Sequence, residues 1–591
     1  MIKTKDDGIT LITLVITIII LLILAGITIS QLMGSNLLDK AKYSKEKTLI
    51  EQGREELTLK AQEVQIEKKG NATLSDFVQY LDKDEKETYV VSLTKTSSIN
   101  GEIPDLTGVK EIYVTYKGYE YKVDHLLNVT YEGINPDNGK IYHKVTKEID
   151  KYVQMSDTRD KVEKNASYET TLTCPINSGE VIDEVIVKMD GNDITSIAYS
   201  NNVISIENVT GDIEIKVTTA WDGTTISTGL EGNGTEEFPY LIKTSADLVY
   251  MSQKINEGIT KINPGDAINA IDAYYKLENT IKLNKDSIWN TITDFTSTTT
   301  GLNQWTPIAS EEIPFNGKFN GNNNTIRNLY INDATADNQS LFVANTINSE
   351  ISNLSVQGEF IANSKVAGFI IINYGTIYNC HNYVKCGVNV GYVSGIAKDN
   401  YGSIIKCSNN ATIQKLYSSG GYGNLAGICY SMYGNNAIVS QCVNRGKIDG
   451  KGSTTIYTIA GIVACIISGD CIIEYCYNEG QVIGGMDVGG IMGWAKGLEG
   501  NSKIQYCFSF GEISGGYSAA LIGTANRKSD CVSYIDNCYY LSDLKADTLG
   551  TSKNANEMNN QDFIDLLTKS DETETIWKIN EDGDHILLNW E

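Results

Sequence analysis

Two carboxylates in this chain stand where they could do acid–base chemistry. Glu474 and Asp536 each lie two residues before a cysteine, Cys476 and Cys538. Gln505 holds the same place before Cys507, between them. If these segments stack at the ~4.8 Å spacing of paired strands, the carboxyls sit ~10 Å apart. That is the outer edge of the spacing with which an inverting glycosidase sets its acid and its base. A solvated or structural role is the other reading of the same pair. The four histidines, His125, His143, His381 and His585, are scattered, and no H-E-x-x-H or triad-like order appears. Of 12 cysteines no two are separated by only two residues, so the usual zinc clip is absent. "NEDGDH" (Asn580–His585) lacks calcium-loop spacing and reads as a turn. No cofactor and no metal is expected. The expected catalytic residues are none, with Glu474 and Asp536 as the enzymatic alternative. Tyr422, Tyr430, Tyr433 and Tyr457 could give an aromatic surface for sugars, or simply cover the sides of strands. Arg445 and Glu479 share another repeat position and read as a surface ion pair.

What positions these residues is a repeat. A motif of the form Ile-x-x-Cys-x-Asn-x-Gly-x-Ile recurs as IYNCHN (Ile377–Asn382), IIKCSN (Ile404–Asn409), SQCVNRGKI (Ser440–Ile448), IEYCYNEGQV (Ile473–Val482), IQYCFSFGEI (Ile504–Ile513) and IDNCYY (Ile535–Tyr540). Leucine replaces cysteine upstream, which gives an expected column of Leu329, Leu354, Cys380, Cys407, Cys442, Cys476, Cys507 and Cys538. A period of this length predicts a solenoid of parallel β-coils. A column shared by Leu and Cys must face inward, where Cys acts as a small hydrophobe, so the thiols are expected reduced. Asn382, Asn409, Asn444 and Asn478 follow the cysteines and could form a side-chain ladder that satisfies turn backbone. A second motif alternates with the first: VAGFI (Val366–Ile370), VSGIA (Val393–Ala397), LAGIC (Leu425–Cys429), IAGIV (Ile459–Val463), VGGIMG (Val488–Gly493) and SAALIG (Ser518–Gly523). Its glycine permits close packing of coils.

This alternation, with the ending "EMNNQDFIDLL...WKIN...ILLNW", resembles the GLUG motif of bacterial surface proteins. The resemblance implies a β-helix, for which right-handed winding is the expectation. It covers most of residues 221–591, with the β-helix expected over 221–545 and a C-terminal cap over 546–591.

At the other end, no residue between Asp7 and Asp39 is charged. The run Ile9–Met33 is long enough to cross a bilayer and too long for a secretory signal core. A plain signal anchor is one reading. The leader with Lys3 and Lys5, ending in Gly8 before Ile9-Thr10-Leu11-Ile12, resembles the type IV prepilin signature. That resemblance implies cleavage of Gly8–Ile9 by a prepilin peptidase, methylation of Ile9, and retention of the helix in the membrane or in a filament with other pilin-like subunits. Two departures stand out: Ile9 replaces the usual Phe, and Thr13 replaces the Glu that supports assembly. Lys40, Lys42, Lys45 and Lys47 beyond the span favour the opposite orientation by charge. The resemblance places the leader inside and the bulk outside.

The chain is therefore expected to be mainly β. Residues 1–8 would be a leader and 9–69 a long transmembrane and extended helix, with Gly34 and Gly53 as weak points. Residues 70–132 would form a small α/β pilin-like unit, opened by a capping box at Thr73–Asp76. Residues 144–220 would form a β-sandwich spacer, and a second cap pair, Thr244 and Asp247, would start a helix near the beginning of the solenoid. Net charge of −25 excludes non-specific nucleic-acid binding. The expected protein is a non-enzymatic, single-pass cell-surface adhesin that displays its β-helix to a glycan or cell-surface ligand. A polysaccharide-active enzyme and a pseudopilin-like part of a secretion machine are the alternatives.

Overall fold

The computed structural model describes residues 35–83, 89–93, 106, 108–134, 142–258, 260–292, 300–333, 335–417, 423–451, 458–495, 501–523, 534–544, 549–583 and 585–591. The chain divides into two units, Met1–His143 with Lys161–Ala166, and Lys144–Asp160 with Ser167–Glu591.

The first unit is built on the helix Ser35–Glu67. The expected transmembrane helix is not found. Among the described residues no helix is long and apolar enough to cross a membrane. Ser35–Glu67 has the length, but from Asp39 onward it carries charges along its course. The apolar run Ile9–Met33, with Gly8 and Ile9, lies outside the described residues. Leu57, Ala61 and Val64 recur at helical spacing and are buried against Phe77, Val78 and Leu81 of the helix Leu74–Asp82. The Thr73–Asp76 capping box that starts this second helix is formed. Beside it, Tyr89–Ser92, Glu111–Tyr116, Tyr119–Asp124 and Val129–Ile134 make a four-stranded sheet in sequence order. Positive φ at Lys117 and Gly118 gives the tight turn of the central hairpin. Gly53 is not a weak point of the helix. A Cβ there would lie 2.2 Å from the Tyr121 hydroxyl, which donates to the Ile50 carbonyl at 3.0 Å, so the glycine is the notch that seats this tyrosine.

The second unit opens with two small sheets. Asn192–Asp193, Glu180–Met189, Ile213–Trp221 and residues 144–149 pair in that order. Tyr199–Ser200, Val203–Ile206, Tyr168–Thr173 and Gln154–Met155 form the other. Tyr168, Thr170 and Leu172 alternate inward along their strand, the period-two pattern of a half-buried sheet. This part is tied to the next by buried charge. Lys282 Nζ donates to Asp183 at 2.8 Å and to Asp286 at 2.6 Å. Glu180, also buried, accepts the Ser245 N–H at 2.9 Å at the start of the capped helix Ser245–Asn256.

The rest is a β-solenoid. A 21-stranded sheet runs from Tyr240–Ile242 to Thr551–Lys553, with its pairings parallel. Two six-stranded parallel sheets complete the coils: Phe342–Ala344 through Met492–Ala495, and Lys365–Ala367 through Tyr517–Ala519. One continuous core fills the interior, with Ile377, Ile404, Val439 and Ile473 stacked in one column and Val393, Leu425, Ile459 and Val488 in another.

The cysteine column is real from Leu354 onward, where Leu354 pairs with Cys380. Leu329 does not belong to it. Bulges at Asn320/Asn324 and Ile326/Leu329 shift the register, so Leu354 faces Asn324 and Leu329 faces Gly358. The residue before each member of the column, from Asn353 and Asn379 through Lys406, Gln441, Tyr475 and Tyr506 to Asn537, adopts a left-handed φ of 48–55°. This is the corner of each coil. Asparagine suits such a corner, and Lys, Gln and Tyr occupy it at a cost that the stacked neighbours offset.

Behind the corner the asparagines form the ladder. Asn382 donates to Asn409 at 2.8 Å, Asn409 to Asn444 at 2.7 Å, and Asn444 to Asn478 at 2.8 Å. The second amide hydrogen of each goes to a backbone carbonyl in its own coil. The two motifs meet here. A Cβ on Gly427 would lie 2.1 Å from the Gly461 carbonyl and 2.4 Å from Asn444 Oδ1. The glycine of one motif thus makes room for the asparagine of the other.

Residues from Thr551 onward add a last strand, then turn back along the side of the solenoid. Phe563 and Trp577 cover an outward column of Val443, Tyr477, Phe508 and Tyr539. Trp590 stacks on His381 at 5.3 Å and donates to the Gln441 carbonyl at 3.0 Å. Arg445 does pair with Glu479, at 3.1 Å, but its guanidinium also holds Glu591 of this returning segment.

Candidate functional site

The stacking register places Glu474, Gln505 and Asp536 side by side on consecutive coils. Gln505 does not stand aside between the two carboxylates. Its amide donates to Glu474 at 2.8 Å, and Ser440 Oγ donates to the other oxygen at 3.4 Å. Glu474 is thus held by its neighbours along the column.

The tyrosines lead to a different face. Tyr422 and Tyr457 lie outside the described residues. Tyr433 ends a stack: its ring is 4.8 Å from Tyr401 with planes 10° apart, and Tyr401 is 4.6 Å from Tyr374 with planes 19° apart. Tyr430 pairs with Tyr392 at 4.5 Å. The ring spacings match the rise of one coil, so register alone builds the stack.

A second asparagine ladder positions it. Asn345 donates to Asn373 at 2.9 Å and Asn373 to Asn400 at 2.8 Å, while Asn345 Oδ1 accepts the Tyr374 N–H at 2.7 Å. Each tyrosine follows a ladder position and precedes a glycine: Asn373-Tyr374-Gly375, Asn400-Tyr401-Gly402 and Met432-Tyr433-Gly434. That triplet was visible in the sequence. It was missed because the cysteine-anchored motif, to which it does not belong, set the frame.

Between the two tyrosine groups lies a charged cluster. Lys398 Nζ is 5.1 Å from the Tyr392 ring and 5.7 Å from the Tyr430 ring, and donates to Asp399 at 2.5 Å. Ser431 Oγ donates to the other Asp399 oxygen. Asp399, Ser431, Cys465 and Trp494 form one column over consecutive coils. Burial pushes the Tyr433 hydroxyl up to about 12 and the Tyr430 and Tyr401 hydroxyls up as well. All three are therefore protonated donors at neutral pH. Face-to-face stacking uses the ring faces within the array, except at Tyr374, which is 45% exposed. What this surface offers a ligand is a line of hydroxyl edges and one open ring, with Lys398 engaged by Asp399 behind it. Among the described residues no cluster of His, Cys, Asp and Glu is arranged to hold a metal.

No family model matches the chain. It is 27% identical over 176 residues to a stretch of halomucin from Haloquadratum walsbyi, which covers 30% of this chain and 2% of halomucin. The chain thus spans a small fraction of that relative's length. Among solved structures it is similar to a candidate immunoglobulin A1 protease from Bacteroides ovatus, at 19% identity and a TM-score of 0.40, covering 63% of this chain and 97% of that one. It is also similar to a structure titled IgA1 protease, at 11% identity and a TM-score of 0.33, covering 78% and 29%.

Proposed function

We propose that this chain is a non-enzymatic cell-surface protein that uses its β-solenoid as a rigid display and adheres through the tyrosine face. The ligand is a polymer on another surface, with a glycan the first choice. The observation that carries this reading is the stack Tyr374–Tyr401–Tyr433, one ring per coil, with Tyr374 exposed at its end. Its hydroxyls repeat with the coil, as a binding surface for an extended repeating ligand requires. The likeness to a stretch of halomucin is compatible with a surface setting. The GLUG resemblance belongs to the same reading, as does processing at Gly8–Ile9, for which mass spectrometry of the native protein should find a chain starting at Ile9.

The test is adhesion of the full chain, coupled to beads, to intact cells and to purified wall glycan. Replacing Tyr374, Tyr401 and Tyr433 together with Ala should weaken binding at least about tenfold, equivalent to ~1.4 kcal/mol. Retained binding would reject the tyrosine face. Glu474→Gln and Asp536→Asn should leave binding unchanged. If polysaccharide is degraded and either substitution stops it, the enzymatic alternative replaces this one.

A further inference from the structure

A cleft of about 460 Å³ lies elsewhere in the second unit, between the helix Ser245–Asn256, the segment that follows Trp221, and residues 303–306. That volume falls in the ~300–1,000 Å³ range of small-molecule sites. We propose that this cleft binds a short neutral saccharide, at a site independent of the tyrosine face.

Its framework is rigid. Trp305 is held by a backbone bond to the Tyr330 carbonyl at 2.7 Å and by its indole N–H to the Leu341 carbonyl at 3.4 Å. Trp221 donates its indole N–H to the Thr225 carbonyl at 2.8 Å. The helix turns Val249, Ser252, Gln253 and Asn256 toward the cleft at i, i+3, i+4 and i+7 spacing. Asn256 is consumed as a brace, donating to the Pro307 carbonyl at 2.9 Å and accepting the Ala309 N–H. Gly223, with φ +81°, keeps the rim open, since a Cβ there would lie 2.5 Å from Asn303 Oδ1.

The lining keeps hydrogen-bonding capacity at its rim, where Gln253 and Gln304 are exposed and Asn303 is half-buried. Gln304 uses only Oε1, which accepts the Asn332 N–H at 2.9 Å. Asn303 uses one amide hydrogen on the Leu283 carbonyl at 3.0 Å. The Gln304 amide N–H, Asn303 Oδ1 and the whole Gln253 amide have no partner among the described residues. Uncharged amides can both give to and accept from a sugar hydroxyl, while an indole suits the C–H face of a pyranose ring; Trp221, half-buried, can present one, and Trp305, in the core, backs it. Among the described residues Glu257 is the one charged member of the lining, and Lys254 pairs with it at 2.7 Å. The lining therefore matches an uncharged ligand.

The full chain should be titrated with short neutral gluco-, manno- and N-acetylated chito-oligosaccharides, read by tryptophan emission and by calorimetry. At least one series should bind saturably. Gln304→Ala and Gln253→Ala should each weaken it at least about tenfold. Thr306→Trp, at an exposed position of the lining, should abolish it with circular dichroism unchanged. The triple tyrosine variant should bind these saccharides as the parent does, which separates this site from the adhesive face. Absence of binding across all three series, or binding that Gln304→Ala and Thr306→Trp leave intact, would overturn the proposal. Preference for acidic over neutral oligosaccharides would do the same.

Discussion

At the scale of the residue, the solenoid depends on polar side chains buried where they can be satisfied only by their own copies in the next coil. Asn444 shows what this demands. It is fully buried, accepts from Asn409, donates to Asn478 and donates to the Gly446 carbonyl at 3.0 Å. Asn444→Ala strips partners from both neighbours and leaves a donor and an acceptor unpaired in the core. The expected loss is about 2–5 kcal/mol, read as a lowered urea midpoint. Gly427→Ala should cost comparably, because its Cβ has no room beside that same amide. If either variant unfolds like the parent, the ladder is not what holds the coils in register.

The cysteines make a second residue-level case. Those in the described residues are free thiols, and the Cys380 column is buried throughout. Burial pushes the thiols of Cys380, Cys442, Cys476 and Cys538 well above the ordinary range. Native protein should leave these four unmodified by iodoacetamide, and denatured protein should lose all four thiols, as peptide mass mapping can show. The pH consequence has a definite sign. Below ~8.5 both folded and unfolded chains hold these protons. Above it the unfolded chain releases protons that the folded chain keeps, so stability present below that pH falls as pH rises. Denaturation midpoints should drop between neutral pH and pH ~10, and replacing Cys476 with Ala should shrink the drop.

At the scale of the element, the returning C-terminal segment is fixed by an outward column whose chemistry changes along the axis. His381 and Ser408 are polar and bond to each other at 2.9 Å, whereas Val443, Tyr477, Phe508 and Tyr539 are apolar. Apolar side chains on the outside of a coil need a cover, and Trp577, nearly fully buried, supplies the centre of it. Trp577→Ala should cost about 3–5 kcal/mol and raise amide exchange in residues 551–591 before it does so in the solenoid. Uniform exchange across both would show that the segment is not a separate layer. The residues of this column lie inside the quoted motifs, one place after each cysteine, but neither the column nor its switch in polarity was read. The same holds for the tyrosine stack, which lies in a triplet outside the cysteine motif. Leu329 was misread for the opposite reason. "IRNL" copies the motif locally, but two bulges that no local pattern reveals move it one strand segment along. Motifs that recur with their cross-coil partners, such as Asn with Gly, were readable because each copy satisfies the next. A single copy beside an irregularity was not.

At the scale of the whole molecule, length and repeat period pointed to a solenoid, and the chain is mainly β with a large one. Hydropathy pointed to a membrane-crossing helix over Ile9–Met33, which lies outside the described residues; among those described no helix is long and apolar enough to cross a membrane, and the polar helix that follows packs against a small sheet. A long element is given its environment by the residues along it, and Ser35–Glu67 carries charge where a bilayer would need none. In the solenoid each coil contacts its neighbours, so stability and display are both nearest-neighbour properties. An array of tyrosines in register is then as rigid as the core behind it. The most direct measurement is the binding of the full chain and of its triple variant, with Ala at Tyr374, Tyr401 and Tyr433, to purified cell-wall glycan and to intact cells, with thermal unfolding recorded in parallel. The account predicts at least about a tenfold loss of binding with the unfolding transition retained. Equal binding by the two proteins would contradict it.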